Sequence, residues 1–263
     1  MKEQLYTIHS DMKSRYPIWW KASWFCLLLG GVFFLVSLVD LREVNALNAW
    51  YKPAKFCLSV GIYLLTIIWL VDLLNIAEER KQKLIRNISI VILLELALIV
   101  MQGARGVKSH FNISSIPNAV IFQLMGVLIV INTVFLIWIT SLYFKQKSRP
   151  INISLHLRNF IRLGLLLLIF SSLIGGAMIG LNRHLASPDI TASLSIPILD
   201  WKIGQGDLRI SHFLGMHGLQ LFALVGISIN PASNLKKATV VGLYSLVTLY
   251  CLVVVSVFLL AMI

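Results

Sequence analysis

Asn118-Ala-Val-Ile-Phe-Gln-Leu-Met-Gly-Val-Leu-Ile-Val-Ile-Asn-Thr-Val-Phe-Leu-Ile-Trp-Ile-Thr-Ser-Leu-Tyr-Phe144 is a run of 27 residues without one charged side chain. A helix rises 1.5 Å per residue, so about 20 apolar residues cross the roughly 30 Å hydrocarbon core of a bilayer. Working outward from this run, six further stretches meet the same criterion. The sequence predicts spans at Ile18–Val39, Lys55–Ile76, Asn87–Val107, Asn118–Phe144, Phe160–Leu181, Ile210–Ile229 and Ala238–Ile263. The third is short unless it continues past Gln102 through Arg105. The fold class expected is all-α, a polytopic seven-helix bundle that forms one transmembrane domain over residues 1–263. Residues 182–209 form its longest loop, whose apolar middle suggests a lid.

Composition agrees. The chain of 263 residues is 58% apolar and 13% charged, against about 45–50% and 25% in soluble domains. Disordered, collagenous and disulfide-stapled classes are excluded. The first apolar run is a full span without a small-residue cleavage site, so it reads as a retained helix and not as a signal peptide. Cys26, Cys57 and Cys251 all lie in spans with no paired spacing, which suits packing residues.

The net charge of +12 is first a topology signal. Alternate sides of the membrane receive 15 and 8 of the 23 Lys and Arg residues. The richer side holds Arg80, Lys81, Lys83 and Arg86, then Lys145, Lys147, Arg149, Arg158 and Arg162, then Lys236 and Lys237. The positive-inside rule makes that side cytoplasmic, with the N-terminus inside and the C-terminus outside. These clusters suit lipid headgroups, and the absence of interleaved aromatic residues gives no reason to expect nucleic acid.

Polar residues at membrane depth are costly and therefore informative. They collect in two segments, Gln102 to Asn112 and Gly206 to Gln220, each with Ser-His-Phe after a basic residue (Ser109-His110-Phe111 and Ser211-His212-Phe213). In helical register Glu95, Gln102, Arg105 and Ser109 form one polar stripe. His212 and His217, five apart, do not share a helix face, while His217 and Gln220 do. Trp50, Tyr51, Lys52 and Lys55 precede the second span. The long loop adds Arg183, His184, Asp200, Trp201 and Lys202.

Three functions suit this set. In the first, His110 with His212 or His217 ligates haem b for membrane electron transfer, and Arg105, Arg209 and Lys55 meet its propionates. In the second, the chain transports or senses a small anionic ligand bound by Lys55, Arg105, Lys108 and Arg209. Glu95 is then the proton-coupled group, with Gln102, Ser109 and Gln220 completing a polar path. In the third, His110, His212, His217 and Asp207 hold zinc or another transition metal for intramembrane hydrolysis. A quinone or other small molecule and a second copy of the chain are the further partners considered.

The Trp50-Tyr51-Lys52-Pro53-Ala54-Lys55-Phe56, Arg105–Asn112 and Asp207–Gln220 segments resemble those of a group of small polytopic bacterial membrane proteins without an assigned function. That resemblance implies a bacterial inner membrane and supplies neither activity nor cofactor. In span count and three candidate histidines the chain is also similar in outline to the intramembrane ceramidase and adiponectin-receptor group. That group carries a close histidine pair on its final helix, and the last span here has no histidine or acid.

Overall fold

The computed structural model describes residues 2–145, 150, 153–181, 184–185, 194–196, 198–199, 201–204, 206–229 and 236–262. Seven of its helices are long and apolar enough to cross a membrane: α2 (Pro17–Val36), α3 (Tyr51–Leu73), α4 (Glu78–Ala104), α5 (Ile116–Phe144), α6 (Leu155–Leu181), α7 (Leu208–Ser228) and α8 (Lys237–Leu260). An eighth, α1 (Lys2–Arg15), precedes them. The expected all-α class and seven span-length apolar helices are therefore observed among the described residues. Leu28, Val130, Leu173, Leu246 and Leu252 are among the many large apolar side chains left exposed on these helices, a distribution suited to lipid and not to water.

Two compact units divide the chain, Met1–Phe135 and Leu136–Ile263, with the boundary inside α5. In the first, α3 is the central helix, and its Leu64, Ile67, Ile68, Leu70 and Val71 have no exposed surface. Helix α2 packs tightly on it because Gly61 leaves the space that Leu27 fills; a Cβ there would lie 2.7 Å from the leucine. Buried Tyr63 donates to Asn132 Oδ1 of α5 at 2.8 Å, which satisfies both polar groups in an apolar setting. In the second unit α6 and α7 make the closest pair. At Gly164 a Cβ would lie 2.7 Å from the Leu219 backbone, so the absence of a side chain sets that approach.

Helix bounds differ from the sequence expectation chiefly at α4. It begins at Glu78, nine residues before the expected Asn87, so the Arg80–Arg86 cluster lies on the helix itself. It also stops earlier, at Ala104. Gly106 adopts φ +68°, which turns the chain away from the helix axis at the residue type that tolerates it. Arg105 is the C-cap, and the expected helical stripe ends with it: Ser109 is on the following loop.

Helix α1 is polar and too short to cross a membrane, with only Leu5, Ile8 and Met12 spaced along one face. It is held by its end, where Tyr16 is buried and its hydroxyl donates to Asp72 Oδ1 at 2.8 Å, and Arg15 pairs with Asp72 and Glu78. Two short hairpins lie between helices. Strands β1 (Glu43–Val44) and β2 (Leu47–Asn48) turn through Asn45 and Ala46, both at positive φ, as a two-residue hairpin requires. Strands β3 (Leu194–Ile196) and β4 (Trp201–Ile203) pair antiparallel within the segment expected as a lid. Lys147, Arg149, Arg183 and Asp200 lie outside the described residues.

Candidate functional site

The buried stripe of α4 runs Ile88, Ile92, Glu95, Ile99 and Gln102, at the three- and four-residue spacing of one helix face. Two polar residues in an otherwise aliphatic stripe must meet their partners inside the unit, and they do so at two levels.

At the upper level Gln102 has no exposed surface. Its amide nitrogen donates to Asn118 Oδ1 at 3.2 Å, and its oxygen accepts from Arg105 Nη1 at 2.6 Å. Arg105 also donates to Asn118 at 3.2 Å. The guanidinium thereby ties the end of α4 to the start of α5 while the residue as a whole remains exposed. Asn118 was not among the sequence candidates, because an asparagine at a span boundary carries no signal of its partner.

At the lower level the loop after α4 returns into the unit. His110 Nε2 comes to 3.9 Å from Glu95 Oε1, although Glu95 precedes the last helical residue by nine positions, about 13 Å along the axis. His110 Nδ1 lies 3.1 Å from Lys52 Nζ and 3.0 Å from Ser109 Oγ. Both neighbours can donate, so the network assigns Nδ1 as acceptor and places the proton of the neutral ring on Nε2, towards Glu95. Phe56 and Phe122 flank the imidazole, with ring centroids 6.0 and 6.3 Å away. Phe111 takes φ +55° just after the histidine, where the loop turns back outward.

Glu95 is 3% exposed, and its Oε2 is buried with no hydrogen-bond partner among the described residues. A buried carboxylate oxygen without a donor is costly. The 3.9 Å separation from His110 is too long for a hydrogen bond and spans the distance that one water or a small closure bridges. The arrangement is a graded path, from half-exposed Lys52 through His110, 24% exposed at its side chain, to Glu95 at 4%.

Beside the return loop a shallow groove of about 540 Å³ is lined by Glu43, Asn45, Lys108, Phe111, Asn112 and Ser114. Lys108 is exposed, and its carbonyl accepts from Asn112 at 2.8 Å. Lys55 is half-buried, one turn along α3 from Lys52. The sequence directed attention to Lys55; the return of His110 selects Lys52.

The remaining candidates belong to the second unit. Asp207 is the N-cap of α7. It accepts from the Arg209 amide at 3.0 Å, Arg209 Nη2 at 2.7 Å and the Lys202 amide at 3.0 Å, so both oxygens hold protein donors. It clamps hairpin to helix. His212 Nδ1 donates to the Ser171 carbonyl at 2.7 Å, while Ser171 Oγ donates to the His212 carbonyl. Gly175 gives the ring its space; a Cβ there would lie 2.9 Å from His212 Cε1. His217 packs on Phe213 with centroids 4.4 Å apart. The Gln220 amide nitrogen, in the orientation its neighbours demand, donates to the Met216 and His217 carbonyls at 3.2 and 3.1 Å.

Among the described residues no three His, Cys, Asp or Glu side chains converge as a metal site would require. The structure brings Glu95, Ser109 and His110 together in the first unit, Gln102 with Arg105 there, and Asp207 with Arg209 in the second. No family model, curated protein or solved structure matches the chain.

Proposed function

We propose that this protein is a proton-coupled transporter of a small anionic solute in a bacterial inner membrane, with Glu95 as the proton carrier. The observation that supports it is the Lys52, His110, Glu95 path, which ends in a buried carboxylate oxygen without a donor. Ionisable groups placed inside a span at such cost are commonly proton relays. The imidazole is suited to the middle position because it accepts on one nitrogen and donates from the other. Lys108 lines the groove beside the return loop, together with one carboxylate, Glu43, and gives an approaching anion a positive charge. Haem or metal ligation by His110 would have to displace Lys52 and Ser109 from one ring nitrogen or turn the other from Glu95.

The test uses the full chain in liposomes with an entrapped pH dye and an imposed proton gradient, with inorganic phosphate or succinate outside. One of these probes should accelerate proton entry over protein-free liposomes. Glu95→Gln should abolish the acceleration, and His110→Ala should slow it by about a hundredfold, the scale of a lost proton-transfer group. Proton entry in Glu95→Gln equal to that of the unaltered chain, or no acceleration with either anion, would overturn the proposal.

A further inference from the structure

The second unit carries a different feature, independent of Glu95. A groove of about 740 Å³ runs along α8 beside the start of α6, lined by His156, Lys237, Val240, Tyr244, Leu249 and Leu252 among others. Its polar groups are gathered at one end. Lys237 opens α8 there, and His156 Nδ1 lies 3.1 Å from the Tyr244 hydroxyl. Phe160 fixes Tyr244 from below, with ring centroids 4.6 Å apart. Beyond Tyr244 the wall is Leu249 and Leu252, softened only by Ser245 and Thr248.

We propose that this groove seats one acyl chain of an anionic glycerophospholipid, with Lys237 and His156 at its phosphate. Three observations select that occupant. First, Lys237 to Leu252 is 15 residues of helix, about 22 Å, long enough to follow a chain through the roughly 15 Å of one leaflet's hydrocarbon. Second, the residues lining the groove include no Asp or Glu, whereas Lys237 lines its polar end with Lys236 next to it in the chain, so the lining itself sets no negative charge against an anion. Third, a second copy of the chain is a poorer occupant. Copies in one membrane share an orientation, so packing α8 on α8 about an axis normal to the bilayer sets the two lysine pairs at the same depth, where they repel.

The full chain in detergent, incubated with phosphatidylglycerol or phosphatidylcholine of identical acyl chains and examined by native mass spectrometry, tests this. Phosphatidylglycerol should be retained about fivefold or more over phosphatidylcholine, the size of one lysine's attraction to an anionic lipid surface. Lys237→Gln, a change at an exposed position, should remove that preference while the thermal midpoint stays unchanged. Ser245→Trp, which replaces an exposed groove residue, should lose both lipids. Equal retention of the two lipids by the unaltered chain, retention by Ser245→Trp at the unaltered level, or a dimer cross-linked through Thr248→Cys that excludes lipid would each overturn it.

Discussion

Glu95 looks in the sequence like an interruption of an aliphatic helix; in the fold it is the inner end of a path. The same contrast holds for Lys52 and Asn118, whose partners lie 58 and 16 residues away. No periodicity rule reaches that far. His110 is visible as a candidate because a histidine beside a span is unusual, but the sequence pairs it with His212 or His217 and sets Glu95 on a separate stripe with Gln102, Arg105 and Ser109; a loop that folds back brings His110 to Glu95 instead. Two predictions belong at this scale. Tyr63→Phe leaves buried Asn132 without its donor and should cost about 1–2 kcal/mol, read by SDS-induced unfolding of the detergent-solubilised protein. Gly164→Val puts a branched side chain against the Leu219 backbone, only 2.7 Å from the position of the new Cβ. It should cost about 1–3 kcal/mol by overpacking, whereas Gly176→Ala, where nothing lies within 4 Å, should leave the unfolding midpoint unmoved.

At the scale of elements, the spans were legible because each is a long apolar run, and their bounds moved where a capping or turning residue decides the end. Helix α1 was not legible, since its place depends on Tyr16 and Arg15 reaching the α3–α4 turn. The hairpin joining α2 to α3 depends similarly on Asp40. Its carboxylate accepts from Arg42 Nη2 at 2.6 Å and from Trp50 Nε1 at 2.7 Å, while Arg42 Nη1 donates to the Ala104 carbonyl at 3.1 Å, joining the hairpin to the end of α4. The bonds from Arg42, and then that from Trp50, hold the Asp40 carboxyl well below the usual carboxylate range. A group depressed in the folded state stabilises above its unfolded pKa, about 4 for Asp. That contribution is lost as pH falls below this value towards the depressed one. The unfolding midpoint of the unaltered chain should therefore exceed that of Asp40→Asn at pH 7, and the gap should narrow steadily below about pH 4. A gap independent of pH would exclude the linkage.

For the whole molecule, the uneven division of Lys and Arg predicts orientation. A membrane-impermeant maleimide applied to intact cells should label Ser114→Cys, in the exposed part of the loop before α5, and should label Ser10→Cys on α1 only after the membrane is opened. The reverse pattern would invert the orientation. Seven long apolar helices followed from composition and run length alone, because the transfer of apolar side chains out of water is additive along a chain and needs no knowledge of neighbours. Which polar residues meet did not follow. Hydrogen bonds and ion pairs are directional and short, so the Lys52, His110, Glu95 path, the Asp207 clamp and the His212 to Ser171 pairing exist only once helices and return loop are in place. The sequence by itself determined that the chain spans a membrane and how many helices are fit to do so. Tertiary structure decided that Glu95 faces a histidine and not lipid, because only the turn at Gly106 brings residue 110 back to the depth of residue 95.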